Sequence, residues 1–242
     1  MKIRDKIFFQ ICLGIMCFFY TITFADRDKK LDEILAKMEK NYNTTEALFC
    51  RYEQIETISQ LTDKIYLEGK LYFRKPHFIM MEMRGDENLN LYVNGEKIWI
   101  EDLDLDEVEE IDFQQLGKNY RLSRLLPPFF LNTIDEIKDM FDISLLQSEG
   151  GKSRLELLPK SESDLNFISL QFDIDRYGRI PWMKVIYDEK NFKEIEFWDW
   201  EKVPKISKYF FQYRGEKQKI KMKFVLFLNK YLFADRIGAL GF

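Results

Sequence analysis

The chain carries one histidine, His77, standing directly after Pro76. A single imidazole excludes a multi-histidine metal site and argues against a Ser-His-Asp relay. The acidic run Glu101–Asp112 invites a calcium reading, because Asp102, Asp104 and Asp106 have the opening spacing of a cation loop. The loop then fails: Glu107 occupies the position that needs glycine, and Phe113 the position of the closing glutamate. A solvated hairpin with an acidic flank is the expected form of this run. There is no glycine-rich phosphate loop and no nucleophile elbow. No catalytic residues, no metal site and no enzymatic activity are therefore expected. What remains is the chemistry of apolar side chains, including the adaptable thioethers of Met80, Met81 and Met83.

The elements that would position those side chains are legible in the spacing. Leu31, Ile34, Leu35, Met38 and Tyr42 recur at helical intervals with charges between them, which predicts an amphipathic helix. Strands are expected from about Leu48 to Ile100, and Asn94-Gly95 between two alternating runs marks a hairpin. The pattern changes between Phe113 and Leu146. Pro127-Pro128 must break any helix there, and Thr133-Ile-Asp-Glu136 is a capping-box sequence. Behind it, Ile134, Ile137, Met140 and Phe141 form a helical apolar face. Strands are expected again at Ser153–Leu158, Asn166–Ile174, Pro181–Tyr187, Phe192–Trp198 and Lys208–Tyr213. Such an order predicts one antiparallel sheet with segregated helices, a mainly β (α+β) fold.

Strand parity assigns the faces. Ile65, Leu67, Gly69, Leu71 and Phe73 share one side of their strand and are expected to point inward. Ile79, Met81 and Met83 continue that surface, followed by Leu89, Leu91, Val93, Ile98 and Ile100. Ile168, Leu170, Phe172 and Ile174 repeat the pattern in the second half. The methionines fit two roles, ordinary core or an adaptable pocket. Parity also puts Lys75 on the inward face, where an ammonium must find partners or reach the rim.

Composition narrows the class. Lys2, Arg4 and Lys6 precede an apolar stretch from Ile7 to Tyr20, and Thr23-Phe24-Ala25 offers a cleavage site. Residues 1–25 thus read as a cleaved signal peptide, with an uncleaved N-terminal anchor as the alternative, because the apolar stretch is shorter than the roughly 20 residues of a membrane span. Its removal takes the net charge from −4 to −6, with no basic stripe, which argues against nucleic acid. Cys12 and Cys17 leave with it, so Cys50 has no disulfide partner and is expected as a small buried hydrophobe. Residues 26–215 read as one domain, and 216–242 as a C-terminal extension. Phe224-Val-Leu-Phe-Leu228 beside Lys217, Lys219, Lys221 and Lys223 is either a membrane-surface helix or a docked or poorly ordered tail.

Three segments resemble LolA, the periplasmic carrier family that moves lipoproteins to the outer membrane. They are Gly69-Lys-Leu-Tyr-Phe-Arg-Lys-Pro76, Val93-Asn-Gly-Glu-Lys-Ile-Trp99 and Asp102-Leu-Asp-Leu-Asp-Glu-Val108. The resemblance runs over roughly Leu31 to Tyr213 and implies an incomplete antiparallel β-barrel, a curved sheet whose concave face is closed by a helical lid. Pro128-Phe129-Phe130-Leu131 looks like the family's Pro-Phe lid segment. Acyl chains would then contact Leu71, Phe73, Ile79, Met81, Met83 and Leu91 together with Phe129, Phe130 and Ile137 of the lid. In the family an Arg before the Pro holds the lid's carbonyls. Here Lys75 stands in that place, either as the lid latch or as a lysine that snorkels to the rim. The implied partners are acylated lipoproteins, an inner-membrane lipoprotein-releasing ABC transporter and an outer-membrane acceptor. The implied carrier is a periplasmic monomer without cofactors. An envelope-stress sensor, or a dedicated lipid-binding protein, on the same half-barrel is the alternative.

Overall fold

The computed structural model describes residues 27–112, 133–160, 167–215 and 219–220. Helix α1, residues 27–43, buries Leu35 and Met38, with Leu31, Ile34 and Tyr42 packed against the same core. Eleven antiparallel strands follow in two meanders. The first comprises β1 (Ala47–Thr57), β2 (Ile65–Arg74), β3 (Phe78–Gly85), β4 (Leu89–Asn94), β5 (Lys97–Asp102) and β6 (Glu107–Asp112). The second comprises β7 (Phe141–Glu149), β8 (Lys152–Pro159), β9 (Ser169–Ile174), β10 (Trp182–Ile186) and β11 (Phe192–Lys202). β1 pairs with β11 and joins the two, and a two-residue β12 (Lys219–Ile220) runs parallel to β6. In the sheet order β12-β6-β5-β4-β3-β2-β1-β11-β10-β9-β8-β7 the two ends do not pair with each other among the described residues, so the curved sheet is an open barrel.

Turn chemistry sets the register. Asn94 Oδ1 accepts hydrogen bonds from the Glu96 and Lys97 amides, 2.9 and 2.8 Å, while Gly95 alone takes the positive φ, 85°. The Asn-Gly pair thus works through the asparagine side chain, with one left-handed residue instead of two. Helix α2 (Ile134–Met140) carries the expected capping box: Thr133 Oγ1 accepts from the Glu136 amide, and the Glu136 carboxylate from the Thr133 amide.

Several expectations need correction. Phe141 is not on the helical face: it is extended, φ −132° and ψ 144°, and begins β7, a strand the sequence reading omitted. Its ring stays buried, stacked on Phe167 at 6.2 Å. Ile168 precedes β9 and is 57 % exposed, so only Leu170, Phe172 and Ile174 face inward. Lys208–Tyr213 is not a strand. Lys208–Phe211 forms a 3-10 turn after Ser207, whose Oγ accepts from the Tyr209 amide.

That turn explains why the outer face of β2–β5 is not simply polar. Phe210 meets Tyr72 at 4.9 Å, Phe211 meets Phe78 at 5.7 Å and Tyr213 meets Tyr92 at 6.1 Å. Arg74 Nη1 donates to the Ile206 carbonyl at 2.7 Å and fixes the crossing segment. Trp99, Val108 and Tyr213 are buried beneath it as a second, smaller core.

Candidate functional site

The inner face is organised in cross-strand rows. Leu48, Phe73, Ile79, Val93, Ile98 and Ile111 oppose one another in sequence from β1 to β6. The next row runs Cys50, Leu71, Met81, Leu91, Ile100 and ends at Glu109. Directly opposed side chains touch, so each row is a continuous surface. Leu71, Phe73, Ile79, Met81, Met83, Leu91 and Ile137 are all buried and belong to one hydrophobic cluster, which Leu35 and Met38 of α1 join. The predicted lid residues Phe129 and Phe130 lie outside the described residues. Burial pushes the Cys50 thiol pKa up, consistent with an inert small hydrophobe in the row.

The two ends of this core differ. At one end Lys193 pairs with Glu56 across β1 and β11, Nζ to Oε2 3.6 Å, and both side chains are nearly buried. Burial alone would lower the Lys193 pKa, but Tyr187 and Glu56 outweigh it and leave it raised. This end is sealed by a charge pair. The other end is apolar and open, a pocket of about 80 Å³ between the α1 C-terminus and the start of α2. Met38, Tyr42, Leu48, Ile134, Ile180 and Trp200 line it.

Trp200 was not among the predicted site residues, for a visible reason. Asp199 adopts φ 52°, and the β1–β11 register slips between Phe49↔Glu201 and Arg51↔Trp198. This bulge sets two residues, Asp199 and Trp200, against Cys50 and reverses the strand's parity. Trp200 therefore turns toward Phe197, with ring centroids 5.8 Å apart. Its indole N–H is buried without a hydrogen-bond partner among the described residues.

Lys75 reaches the same end. Its Nζ donates to the backbone carbonyl of Tyr42, in the last turn of α1, and sits 4.0 Å from the centroid of the Tyr42 ring. Phe73 packs on that ring at 5.9 Å. A cation suits the negative end of a helix dipole. Partial burial nevertheless lowers the lysine's pKa, and desolvation raises that of Tyr42, with Glu136 adding to the effect.

The acidic flank is only partly solvated, which corrects the expectation for Glu101–Asp112. Asp104, Leu105, Asp106 and Glu107 are exposed at the hairpin tip. Glu101 is buried on the outer face, where Asn90 Nδ2 donates to it at 2.8 Å and the Tyr92 hydroxyl at 3.3 Å. Glu109 is buried on the inner face, 5 % exposed, and neither carboxylate oxygen has a partner among the described residues. Desolvation pushes its pKa up to about 7. The acidic run gave no hint of this, because only pairing with β5 reveals which glutamate turns inward.

An open antiparallel barrel whose apolar concave face is roofed by helices defines the class. Residues 43–214 match the family model of the outer membrane lipoprotein carrier protein LolA, and the chain belongs to that family. Its fold is similar to an uncharacterized conserved protein from Thermus thermophilus, TM-score 0.52 at 11 % identity, covering 80 % of this chain and 99 % of that one. Looser likenesses are a LolA superfamily protein from Nitrosomonas europaea and the Mycobacterium tuberculosis lipoprotein LppX. The first has TM-score 0.42 at 8 % identity, covering 75 % of this chain and 97 % of that one. The second has TM-score 0.44 at 8 % identity, covering 73 % and 99 %. No curated protein matches the chain in sequence.

Proposed function

We propose that this chain is a periplasmic carrier, exported with removal of residues 1–25, which holds the acyl chains of lipoproteins against its concave face. It shuttles them from the inner to the outer membrane. One observation carries the reading: two cross-strand rows spanning β1 to β6, apolar except for Glu109, share one core with side chains of two helices, Leu35 and Met38 of α1 and Ile137 of α2. A helical roof can lift without breaking a ladder of backbone hydrogen bonds.

The magnitudes favour exchange. Among the described residues, α2 seats one fully buried side chain, Ile137, and withdrawing it costs about 2–3 kcal/mol. Each buried methylene returns roughly 0.8 kcal/mol, so one long acyl chain gains on the order of 10 kcal/mol gross. Cargo outweighs the lid contacts, and the lid contacts offset part of that gain when cargo leaves. Leu71, Phe73, Ile79, Met81, Met83 and Leu91 would contact the chains, with Phe129, Phe130 and Ile137 supplied by the lid. Lys75 would act as the latch, by holding the Tyr42 carbonyl at the end of α1.

The partners that family membership suggests are an inner-membrane ABC transporter as donor and an outer-membrane acceptor. The carrier itself needs no cofactor and performs no covalent chemistry. The test is uptake of a fluorescent triacylated lipopeptide from detergent micelles by the purified mature chain. Saturable uptake with delivery to vesicles is expected, and a chain that takes up none contradicts the proposal.

A further inference from the structure

Glu109 stands where the pattern of the inner face calls for an apolar residue. It ends the row that begins at Cys50, opposite Ile100, with Ile111 two positions along its own strand. Both carboxylate oxygens are enclosed and have no hydrogen-bond partner among the described residues. Among the described residues of β5 and β6, the other charged groups on this face are Asp102 and Glu107, both acidic. Asp102 Oδ1 is already occupied by the Asp104 and Leu105 amides. β12 runs alongside, pairing Ile220 with Glu109 in register.

A buried carboxyl without a partner costs stability, which a leucine or isoleucine here would spare. Glu101, on the other face of the same hairpin, has two donors, so the fold supplies partners where a buried glutamate is structural. We infer that Glu109 is a polar anchor for cargo: its carboxyl hydrogen-bonds the ester carbonyl that joins an acyl chain to its glyceryl head. The inference rests on the carrier reading above. An ester carbonyl only accepts, so the anchor must donate, and only the protonated acid can do so. Desolvation raises the pKa to about 7, which keeps that form substantially populated at neutral pH. The apolar row then sorts for chain length, while Glu109 sorts for the linkage.

A matched pair of probes tests this: pyrenyldodecane, and a pyrenyl alkyl ester of equal length, titrated into wild type, Glu109→Leu and Glu109→Gln. The wild type is expected to prefer the ester about fivefold. Glu109→Leu is expected to erase that preference while still binding the hydrocarbon. Glu109→Gln, which keeps an N–H donor, is expected to retain it. Equal affinity of the wild type for both probes, or an undiminished preference in Glu109→Leu, would overturn the anchor and leave the carrier reading standing. Binding of neither probe would overturn both. Displacement of the ester probe by a triacylated lipopeptide, or by phosphatidylglycerol alone, then assigns the anchored ester to protein-linked or membrane lipid.

Discussion

Tyr52 and Gly69 stand directly opposite each other in the pairing of β1 with β2, and the tyrosine ring covers the space the glycine leaves. A Cβ at Gly69 would lie 1.7 Å from the Glu82 carbonyl oxygen and 3.1 Å from Tyr52 Cε1. The Tyr52 hydroxyl donates to that same carbonyl at 2.9 Å. The glycine is thus required for close approach, not for an unusual φ. Gly69→Ala should destabilise the fold by about 2 kcal/mol or more, because the nearest obstacle is backbone. Tyr52→Phe should lose about 1 kcal/mol. Urea unfolding measures both. A Gly69→Ala midpoint equal to the wild type would show that β3 moves aside freely.

Ile137 ties α2 to the core, and its removal separates roof from floor. Ile137→Ala should lower thermal stability by about 2–4 kcal/mol. It should also raise affinity for an acyl probe, because less lid packing is lost on loading. Calorimetry and probe titration give the two numbers. Affinity that falls along with stability would make Ile137 ordinary core.

Lys75→Leu removes a charge-assisted hydrogen bond and a cation–π contact at the end of α1, together about 2–3 kcal/mol in the closed form. Hand-over of bound lipopeptide to acceptor vesicles should slow by tenfold or more, with Lys75→Arg close to the wild type. Release from Lys75→Leu at the wild-type rate would leave Lys75 a rim lysine.

Glu109 makes a pH-dependent contribution whose sign follows from its raised pKa. Below the ordinary carboxylate range it is neutral in both folded and unfolded chains and costs nothing beyond its burial. Between that range and about 7 the unfolded chain ionises first, so stability falls as pH rises, levelling above about 7. Glu109→Gln should therefore melt close to the wild type near pH 4 and several degrees higher at pH 8. A melting gap that is constant over this range would show that Glu109 does not titrate inside the fold.

Much of β2 to β5 was legible because every second residue there, from Leu71 and Phe73 to Ile98 and Ile100, is apolar and faces one core. Three features hid what was missed. The bulge at Asp199 reversed parity and concealed Trp200. The capping box at Thr133 drew Phe141 into a helix, although Phe141, Ile143 and Leu145 already alternate as a strand. The three consecutive aromatics Tyr209, Phe210 and Phe211 fit neither period, and their partners on the outer face, Tyr72 and Phe78, lie far away in sequence. Glu109 was hidden by its acidic neighbours, since charge runs are usually solvated.

The most direct measurement places a photo-crosslinking residue at position 81, where Met81 sits mid-row between Leu71 and Leu91, and identifies the adducts from the exported protein by mass spectrometry. Adducts spread over many acylated lipoproteins, attached through their lipid moieties, are expected of a carrier. A single protein partner, or free lipid alone, would contradict it.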